Sequence, residues 1–245
     1  MAGREEMLER IRKALGRPPG TPRVIPEGVA RSPQELAGVM PAITPEELLP
    51  KFEEELAKVA GASHRAATLL ALEQILRGIL AGSGATRVVI SRNPLLGQLG
   101  IRDKLCAWGK RFAEWPAPGA YAEGAATQNF REECLQAEVG ITGVDFALSE
   151  TGSLVLSSMT EGSQLASLAP PVHVALYRRS QLVASLDEVL ERLPVSRNPD
   201  QATPGRSVVF VTGTSRTADI EQILIRGVHG PREVHAILVE DSCLE

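Results

Sequence analysis

Residues 207–231 read SVVFVTGTSRTADIEQILIRGVHGP, and this pattern predicts a strand, a polar turn and a helix in succession. The β-branched apolar run 207–212 predicts a buried strand. After the turn, apolar residues recur at the i, i+3 and i+4 spacing of a helix; they are Ile220, Ile223 and Leu224. Thr217 is then the expected N-cap, and the polar residues Gly213–Thr217 are expected at a helix N-terminus.

The predicted turn carries groups that bind a small anion. Backbone N–H groups and the helix dipole attract negative charge at a helix N-terminus, and the guanidinium of Arg216 can hold a carboxylate by two hydrogen bonds. The expected substrate-binding residues of this turn are Gly213, Thr214, Ser215, Arg216 and Thr217. His229, in a glycine-flanked turn nearby, is a candidate catalytic residue because histidine titrates near neutral pH. The alternative is an ordinary βα turn in which Thr217 only caps the helix and Arg216 forms a structural ion pair.

A second stretch, residues 140–156, reads GITGVDFALSETGSLVL and predicts two strands joined by a tight turn. Gly152 is expected to take a positive φ in that turn. Glu150, at the end of the first strand, is a candidate catalytic base or nucleophile, and Thr151 and Gly152 are candidate substrate-binding residues. The alternative is that Glu150 is a solvated turn carboxylate without a chemical role.

Both stretches resemble the lactate-utilisation protein C family, the LUD-domain proteins, over roughly residues 45–241. In that family GPSRTADIE precedes GVHGP, so Thr214 here replaces a proline. The family also shows an Ala/Ser-Glu-Thr-Gly-Thr turn, where this chain has Ser153. A third, weaker match is Ser167–His173, before which Gln164 stands where the family commonly has a basic residue.

The resemblance implies a fold and a function. The fold is that of sugar-phosphate isomerases and coenzyme A transferases: α/β, three-layer, with a mixed, largely parallel sheet. The function is that of the C-type subunit of a multi-component system that oxidises L-lactate to pyruvate. In that system the iron–sulfur motifs belong to partner subunits, and this chain would bind a small carboxylate or dock those redox subunits. Whether the chain is itself catalytic stays open.

The residue pattern divides the chain into two parts. Residues 1–43 hold an amphipathic helix over 4–16 and a proline-rich arm. That helix can pack on its own domain, on a partner subunit or on a second copy of the chain, so a homo-oligomer is one expectation. Residues 44–245 alternate strands and helices, which predicts a largely parallel sheet with helices on both faces. Pro50, inside a predicted helix, is expected to cause a kink or a restart.

Composition narrows the function classes. The net charge of −4 does not favour nucleic acid or an anionic membrane surface. No apolar run reaches the roughly 18–20 residues of a membrane span, and no secretory signal precedes the first helix, so we expect a cytoplasmic protein. The three cysteines, Cys106, Cys134 and Cys243, are too few for a four-thiolate cluster. The chain also lacks a dinucleotide-binding fingerprint and a metal-ligand spacing, so we expect no iron–sulfur cluster, metal, flavin or NAD on it.

Two further functions remain compatible with the sequence. One is a stand-alone enzyme of the coenzyme A transferase or phosphosugar isomerase kind that uses Glu150. The other is a regulatory domain that senses a carboxylate metabolite. Three observations distinguish these functions. Co-purification with cluster-containing chains favours the lactate-oxidising system, and turnover by the isolated chain favours the stand-alone enzyme. Ligand binding without partner or turnover favours the regulatory domain.

Overall fold

The computed structural model describes residues 4–14, 16, 43–116, 124–193, 207–218, 224–227 and 229–244. The chain divides into two compact units, Met1–Ala42 and Ile43–Glu245. In the first unit, helix α1 spans Arg4–Ala14, and Gly16 follows it with φ +62°. Across these described ranges, we find no helix with both the length and the apolar character that a membrane span requires.

The second unit alternates strands and helices along the chain. Its strands are β1 Ala62–Ala66, β2 Arg87–Ile90, β3 Arg111–Glu114, β4 Val139–Thr142, β5 Phe146–Leu148, β6 Ser153–Ser157, β7 Val172–Arg178, β8 Leu182–Val183, β9 Val208–Val211, β10 Arg216–Ala218, β11 Leu224–Arg226 and β12 Glu233–Val239. Its helices are α2 Leu48–Lys58, α3 Leu69–Gly82, α4 Pro94–Gln98, α5 Ile101–Ala107, α6 Gly124–Gln136, α7 Ser158–Glu161, α8 Leu165–Leu168 and α9 Leu186–Arg192.

Six strands form a parallel sheet in the order β1-β12-β7-β4-β2-β3. One face packs against the leucines of α3 and α5, such as Leu76 and Leu105. The other face packs against α2, through Phe52 and Leu56, and against α6 and α8. The predicted three-layer, largely parallel α/β architecture with an N-terminal helix is therefore confirmed.

The predicted hairpin around Glu150 lies in a separate four-stranded sheet, ordered β8-β5-β6-β9, and not in the parallel sheet. The inner face of this small sheet joins the core beneath α2 through Leu154, Leu156 and Val211. Helix α9 covers part of its outer face through Val189. The expectation of one mixed sheet is corrected to a parallel sheet and a smaller mixed sheet.

The predicted helix after Gly213–Thr217 is wrong. Strands β10 and β11 form an antiparallel hairpin in which Thr217 pairs with Ile225. Both residues are β-branched, and such pairs stabilise a ladder more than a helix. Thr217 is consequently no helix N-cap, and residues 219–223, which hold Ile220 and Ile223, lie outside the described residues.

Strand β9 is also more exposed than the apolar run 207–212 predicts. It lies at the edge of the small sheet, and Val208 and Phe210 on its outer face are 39% and 42% exposed. Val211 on the inner face is buried. The run is apolar on both faces although only one of them is covered.

Pro50 does not interrupt α2. The helix begins at Leu48, so Pro50 lies in its first turn, where backbone N–H groups have no intrahelical acceptor in any case. The expected kink or restart is therefore wrong. Before the helix, the backbone N–H of Thr44 donates to the Glu47 carboxylate at 3.0 Å, which is one half of a capping-box arrangement.

Candidate functional site

The two motif turns meet through a chain of hydroxyl groups. The Oγ1 atom of Thr151 lies 2.6 Å from Oγ of Ser153, and that atom lies 2.7 Å from Oγ1 of Thr212. Thr212 directly precedes Gly213, so the turn at Glu150 and the turn at Gly213 are neighbours across β6 and β9. The structure thus brings together two motifs that are about sixty residues apart in sequence.

Both turns rest on the C-terminal turn of α2. Gly152 has φ +64°, and a Cβ atom there would lie 2.2 Å from the backbone nitrogen of Leu56. Gly213 has φ +72°, and a Cβ atom there would lie 2.2 Å from the carbonyl oxygen of Val59. The predicted positive φ of Gly152 is confirmed, and glycine is required at both positions for conformation and for close approach.

The third motif adjoins the same region. The backbone N–H of Ser215 donates to the carbonyl of Pro231 at 2.9 Å, and that of Arg232 donates to the carbonyl of Pro171 at 2.7 Å. A Cβ atom at Gly230 would lie 3.2 Å from Cβ of Ser215, so the chain next to His229 packs against Ser215. We call this convergence of residues 150–153, 212–215, 229–232 and 171 the motif junction.

The predicted site residues have different surroundings at the motif junction. Gly213 and Thr214 are buried, and Ser215 is half-buried. Among the described residues, the buried Thr214 hydroxyl has no hydrogen-bond partner. His229 is exposed. The side chains of Arg216 and Thr217 lie outside the described part of the structure, so their approach to the junction stays a prediction.

Glu150 caps a helix in this structure. Its carboxylate accepts a hydrogen bond of 3.1 Å from the backbone N–H of Leu186, the first residue of α9. A carboxylate at a helix N-terminus is stabilised by the unpaired N–H groups and the dipole there. Asp145 has a comparable role, since it accepts from the backbone N–H of Ser157 at 2.6 Å, just before α7.

The motif junction does not lie where ligands bind in most open parallel sheets. Gly213 follows the carboxyl end of β9, as predicted, but β9 belongs to the small sheet. Pro171 and Arg232 directly precede β7 and β12, so the junction meets the parallel sheet at its amino end. In the described part of this segment, the β10–β11 hairpin stands where a helix N-terminus was predicted, so it supplies no helix dipole to the junction.

The carboxyl end of the parallel sheet instead holds a cluster that the sequence analysis missed. Glu161 is fully buried, and its carboxylate accepts from the Ser91 hydroxyl at 2.5 Å and from the Gly143 N–H at 3.1 Å. The Asn93 amide donates to its other oxygen. Burial raises the pKa of Glu161, as does the nearby Asp145, whereas the bonds from Ser91 and Asn93 oppose the shift.

Only long-range pairing reveals this cluster. Ser91 and Asn93 follow β2, Gly143 follows β4, and these two strands are neighbours in the sheet. Glu161 lies in the four-residue helix α7. The one available sequence signal was the polar group Ser91–Asn93 directly after an apolar strand.

Three histidines lie in strands of the parallel sheet, where they contact neighbouring side chains. His173 is fully buried, with its Nε2 atom 2.8 Å from the Thr142 hydroxyl, and burial lowers its pKa to about 3. His64 and His235, on neighbouring strands, face each other with Nε2 and Nδ1 3.0 Å apart. Among the described residues, no group of three or more His, Cys, Asp or Glu side chains is arranged to hold a metal.

Comparison with known proteins places these motifs in a family context. A family model described as the LUD domain matches residues 49–239. The chain is 29% identical to Lactate utilization protein C of Halalkalibacterium halodurans, over 97% of this chain and 98% of the relative. It is 27% identical to Lactate utilization protein C of Exiguobacterium sp., over 98% and 97%. An uncharacterized protein, YkgG of Escherichia coli, is 31% identical over 64% of each chain.

One solved structure matches the fold. It is a crystal structure of a DUF162 family protein from Deinococcus radiodurans, with a TM-score of 0.54. The match covers 81% of this chain and 99% of that chain at 22% identity. At this identity the likeness concerns the fold alone.

Proposed function

The chain belongs to the LUD-domain family, and from that premise we propose that it is the C-type component of a multi-component system that oxidises L-lactate to pyruvate. Relatives named Lactate utilization protein C match nearly the whole length of the chain. The observation that carries the proposal is the motif junction, because three separated motif segments meet there. Its role in the proposal is to bind the carboxylate of lactate or pyruvate.

The groups at the junction suit a small carboxylate. Thr151, Ser153 and Thr212 supply hydroxyl groups, and Arg216 on β10 follows Ser215 directly. A guanidinium that holds a carboxylate by two bonds contributes about 1.5–3 kcal/mol for each charged hydrogen bond. Such a site supports an affinity between millimolar and micromolar. The orphaned Thr214 hydroxyl is a further donor in the same turn.

We assign the electron carriers of the proposed system to partner iron–sulfur subunits. Cys134 and Cys243 of this chain are buried, and Cys106 is exposed. Burial raises the pKa of the Cys134 thiol to about 12, and a protonated thiol is a poor ligand for iron. The scattered cysteines thus support a binding or docking role for this chain within the system.

Docking of the redox subunits is a second role within the same proposal. The outer face of edge strand β9 exposes Val208 and Phe210 in the strand that leads into the motif junction. Exposed apolar side chains on an edge strand are typical of a protein-binding surface. The carboxylate site and a partner could therefore lie on the same strand.

Reconstitution tests the proposed function. The chain is co-expressed with the two cluster-containing subunits of such a system, and lactate-dependent dye reduction is measured. We expect Arg216→Ala to abolish lactate binding and activity. Arg216→Lys should retain only part of both, because a lysine ammonium lacks the planar guanidinium that forms two hydrogen bonds with a carboxylate. Arg111→Ala, an exposed arginine on β3, is the charge-matched control. Activity that is independent of this chain, or unchanged in Arg216→Ala, would refute the proposal.

The same preparations separate the alternatives. Turnover of an acyl-coenzyme A or a sugar phosphate by the isolated chain, lost in Glu150→Gln, would favour a stand-alone enzyme. Lactate binding by the chain without co-purifying subunits and without turnover would favour a sensor domain.

A further inference from the structure

The parallel sheet has a point at which its connections diverge. Neighbouring strands β2 and β4 both end at the same edge of the sheet. The chain leaves β2 towards β3 on one side, and after β4 the next strand of this sheet is β7 on the other side. In open α/β sheets, ligands bind in the crevice that such a divergence leaves at the carboxyl ends of the strands.

In this protein the crevice contains a carboxylate of the chain itself. The Ser91 hydroxyl, the Asn93 amide and the Gly143 N–H, which we call the cradle, all donate to Glu161. A Cβ atom at Gly143 would lie 2.2 Å from Cγ of Asn93, so only glycine allows its N–H to come this close. Three donors from two strand ends therefore converge on one carboxylate position.

The cradle is built from neutral donors. Burying a carboxylate costs free energy that neutral hydrogen bonds offset only in part. The raised pKa of Glu161 is consistent with that cost. A second carboxylate in the place of the Glu161 carboxylate would accept the same three hydrogen bonds.

We propose that the cradle is a binding site for a small monocarboxylate and that Glu161 is its internal occupant. The chain around Glu161 is held by other bonds: Arg92 N–H donates to the Glu161 carbonyl at 3.2 Å, and Ser157 N–H donates to Asp145 at 2.6 Å. The exchange requires the fully buried Glu161 side chain to rotate out of the cradle, while these bonds keep the surrounding chain in place. The cradle is distinct from the motif junction, so its test does not depend on the proposed function.

Tryptophan fluorescence reports on the cradle in the full chain. A Cβ atom at Gly162 would lie 2.1 Å from Cδ1 of Trp115, so this indole packs on the residue next to Glu161. The chain has two tryptophans, and Trp108→Phe leaves Trp115 as the single emitter. We expect acetate, at constant ionic strength, to change Trp115 emission with saturation in the millimolar range. Acetamide, which has the same shape without the charge, should not. An absent acetate response up to about 100 mM would overturn the proposal.

Substitutions in the Trp108→Phe background identify the site. Glu161→Ala removes the competitor and should bind acetate about tenfold more tightly, a change of about 1.4 kcal/mol. Adding Ser91→Ala should reverse most of that gain. Glu138→Ala, which removes a carboxylate that accepts from backbone N–H groups at the other end of β2, is the matched control and should leave the affinity unchanged.

A second variant keeps the test decisive if Glu161→Ala does not fold. Glu161→Asp keeps the charge but withdraws the carboxylate by one methylene, so it should bind acetate more tightly than the parent and less tightly than Glu161→Ala. Equal acetate affinity in the parent, Glu161→Asp and Ser91→Ala would place the response elsewhere and refute the cradle as the site.

Discussion

At the scale of single residues, burial decides which polar groups matter. His173 is completely enclosed in the central strand β7 and has one partner, the Thr142 hydroxyl. Its Nδ1 atom has no hydrogen-bond partner in the part of the chain that the structure describes. An uncharged ring is tolerated there, whereas an imidazolium would be strongly destabilised.

His173 therefore links stability to pH. Its pKa is lowered from 6.5 to about 3, so between these values the unfolded chain binds a proton that the folded chain does not. His173 therefore does not lower the free energy of unfolding above pH 6.5. Between pH 6.5 and about 3, that free energy falls by about 1.4 kcal/mol for each pH unit. When urea unfolding is measured between about pH 4 and 5.5, His173→Gln should reduce the slope of the free energy of unfolding against pH by about one proton.

The control for that experiment is Thr142→Val. It removes the hydrogen-bond partner of the ring and keeps the titrating group. We expect lower stability at every pH with the wild-type slope. A wild-type slope in His173→Gln as well would mean that the ring does not carry this pH dependence.

Thr214 and Thr212 form a second residue-scale comparison. The Thr214 hydroxyl is buried without a partner, whereas the Thr212 hydroxyl bonds Ser153. Thr214→Val should leave the free energy of unfolding unchanged or raise it by about 1 kcal/mol, because it removes an unsatisfied group. Thr212→Val should lower it by about 1 kcal/mol. Thermal unfolding of the two variants checks the sign; a larger loss in Thr214→Val would contradict it.

At the scale of elements, patterns within one segment were predictable and partners outside it were not. The strand predicted over 207–212 is present as β9, and strands and helices alternate through the second unit as predicted. The helix predicted after Gly213 failed because pairing of Thr217 with Ile225 overrides the local spacing. Strand β4 was missed because the short run Val139–Thr142 is buried on both faces and has no alternation.

Gly152 allows a test with a matched control. Gly84 has the same φ of +64°, but a Cβ atom there would have no neighbour within 4 Å, whereas at Gly152 it would meet the backbone of α2. Gly84→Ala should cost about 1 kcal/mol from conformation alone. Gly152→Ala should cost about 3 kcal/mol because the added methyl also displaces the helix. Chemical denaturation measures both; equal losses would show that the contact with α2 carries no energy.

At the scale of the whole molecule, the fold class followed from alternation of elements, but the site geometry did not. Apolar runs separated by helical patterns sufficed to predict a largely parallel sheet. The strand order, which places Ser91 beside Gly143 and Glu161, depends on crossovers that no local pattern encodes. The motif segments of the junction were identified in the sequence, but the contact of Gly152 and Gly213 with α2 was not predicted.

The division of the chain leads to a whole-molecule prediction. Residues Met1–Ala42 and Ile43–Glu245 are separate compact units, and the core of the parallel sheet lies in the second. We expect a protein that lacks residues 1–43 to unfold cooperatively with nearly the stability of the full chain. Calorimetry of both forms checks this, and loss of a cooperative transition in the shortened protein would show that the arm belongs to the core.

The support that α2 gives to both motif turns has an evolutionary consequence. Gly152 and Gly213 rest on Leu56 and Val59, one helical turn apart, although neither motif includes that helix. A larger residue at either glycine would require α2 to shift, and the shift would disturb the other turn. Once a related protein has lost one of the two glycines, selection no longer maintains the other. The two glycines should therefore be retained or lost together.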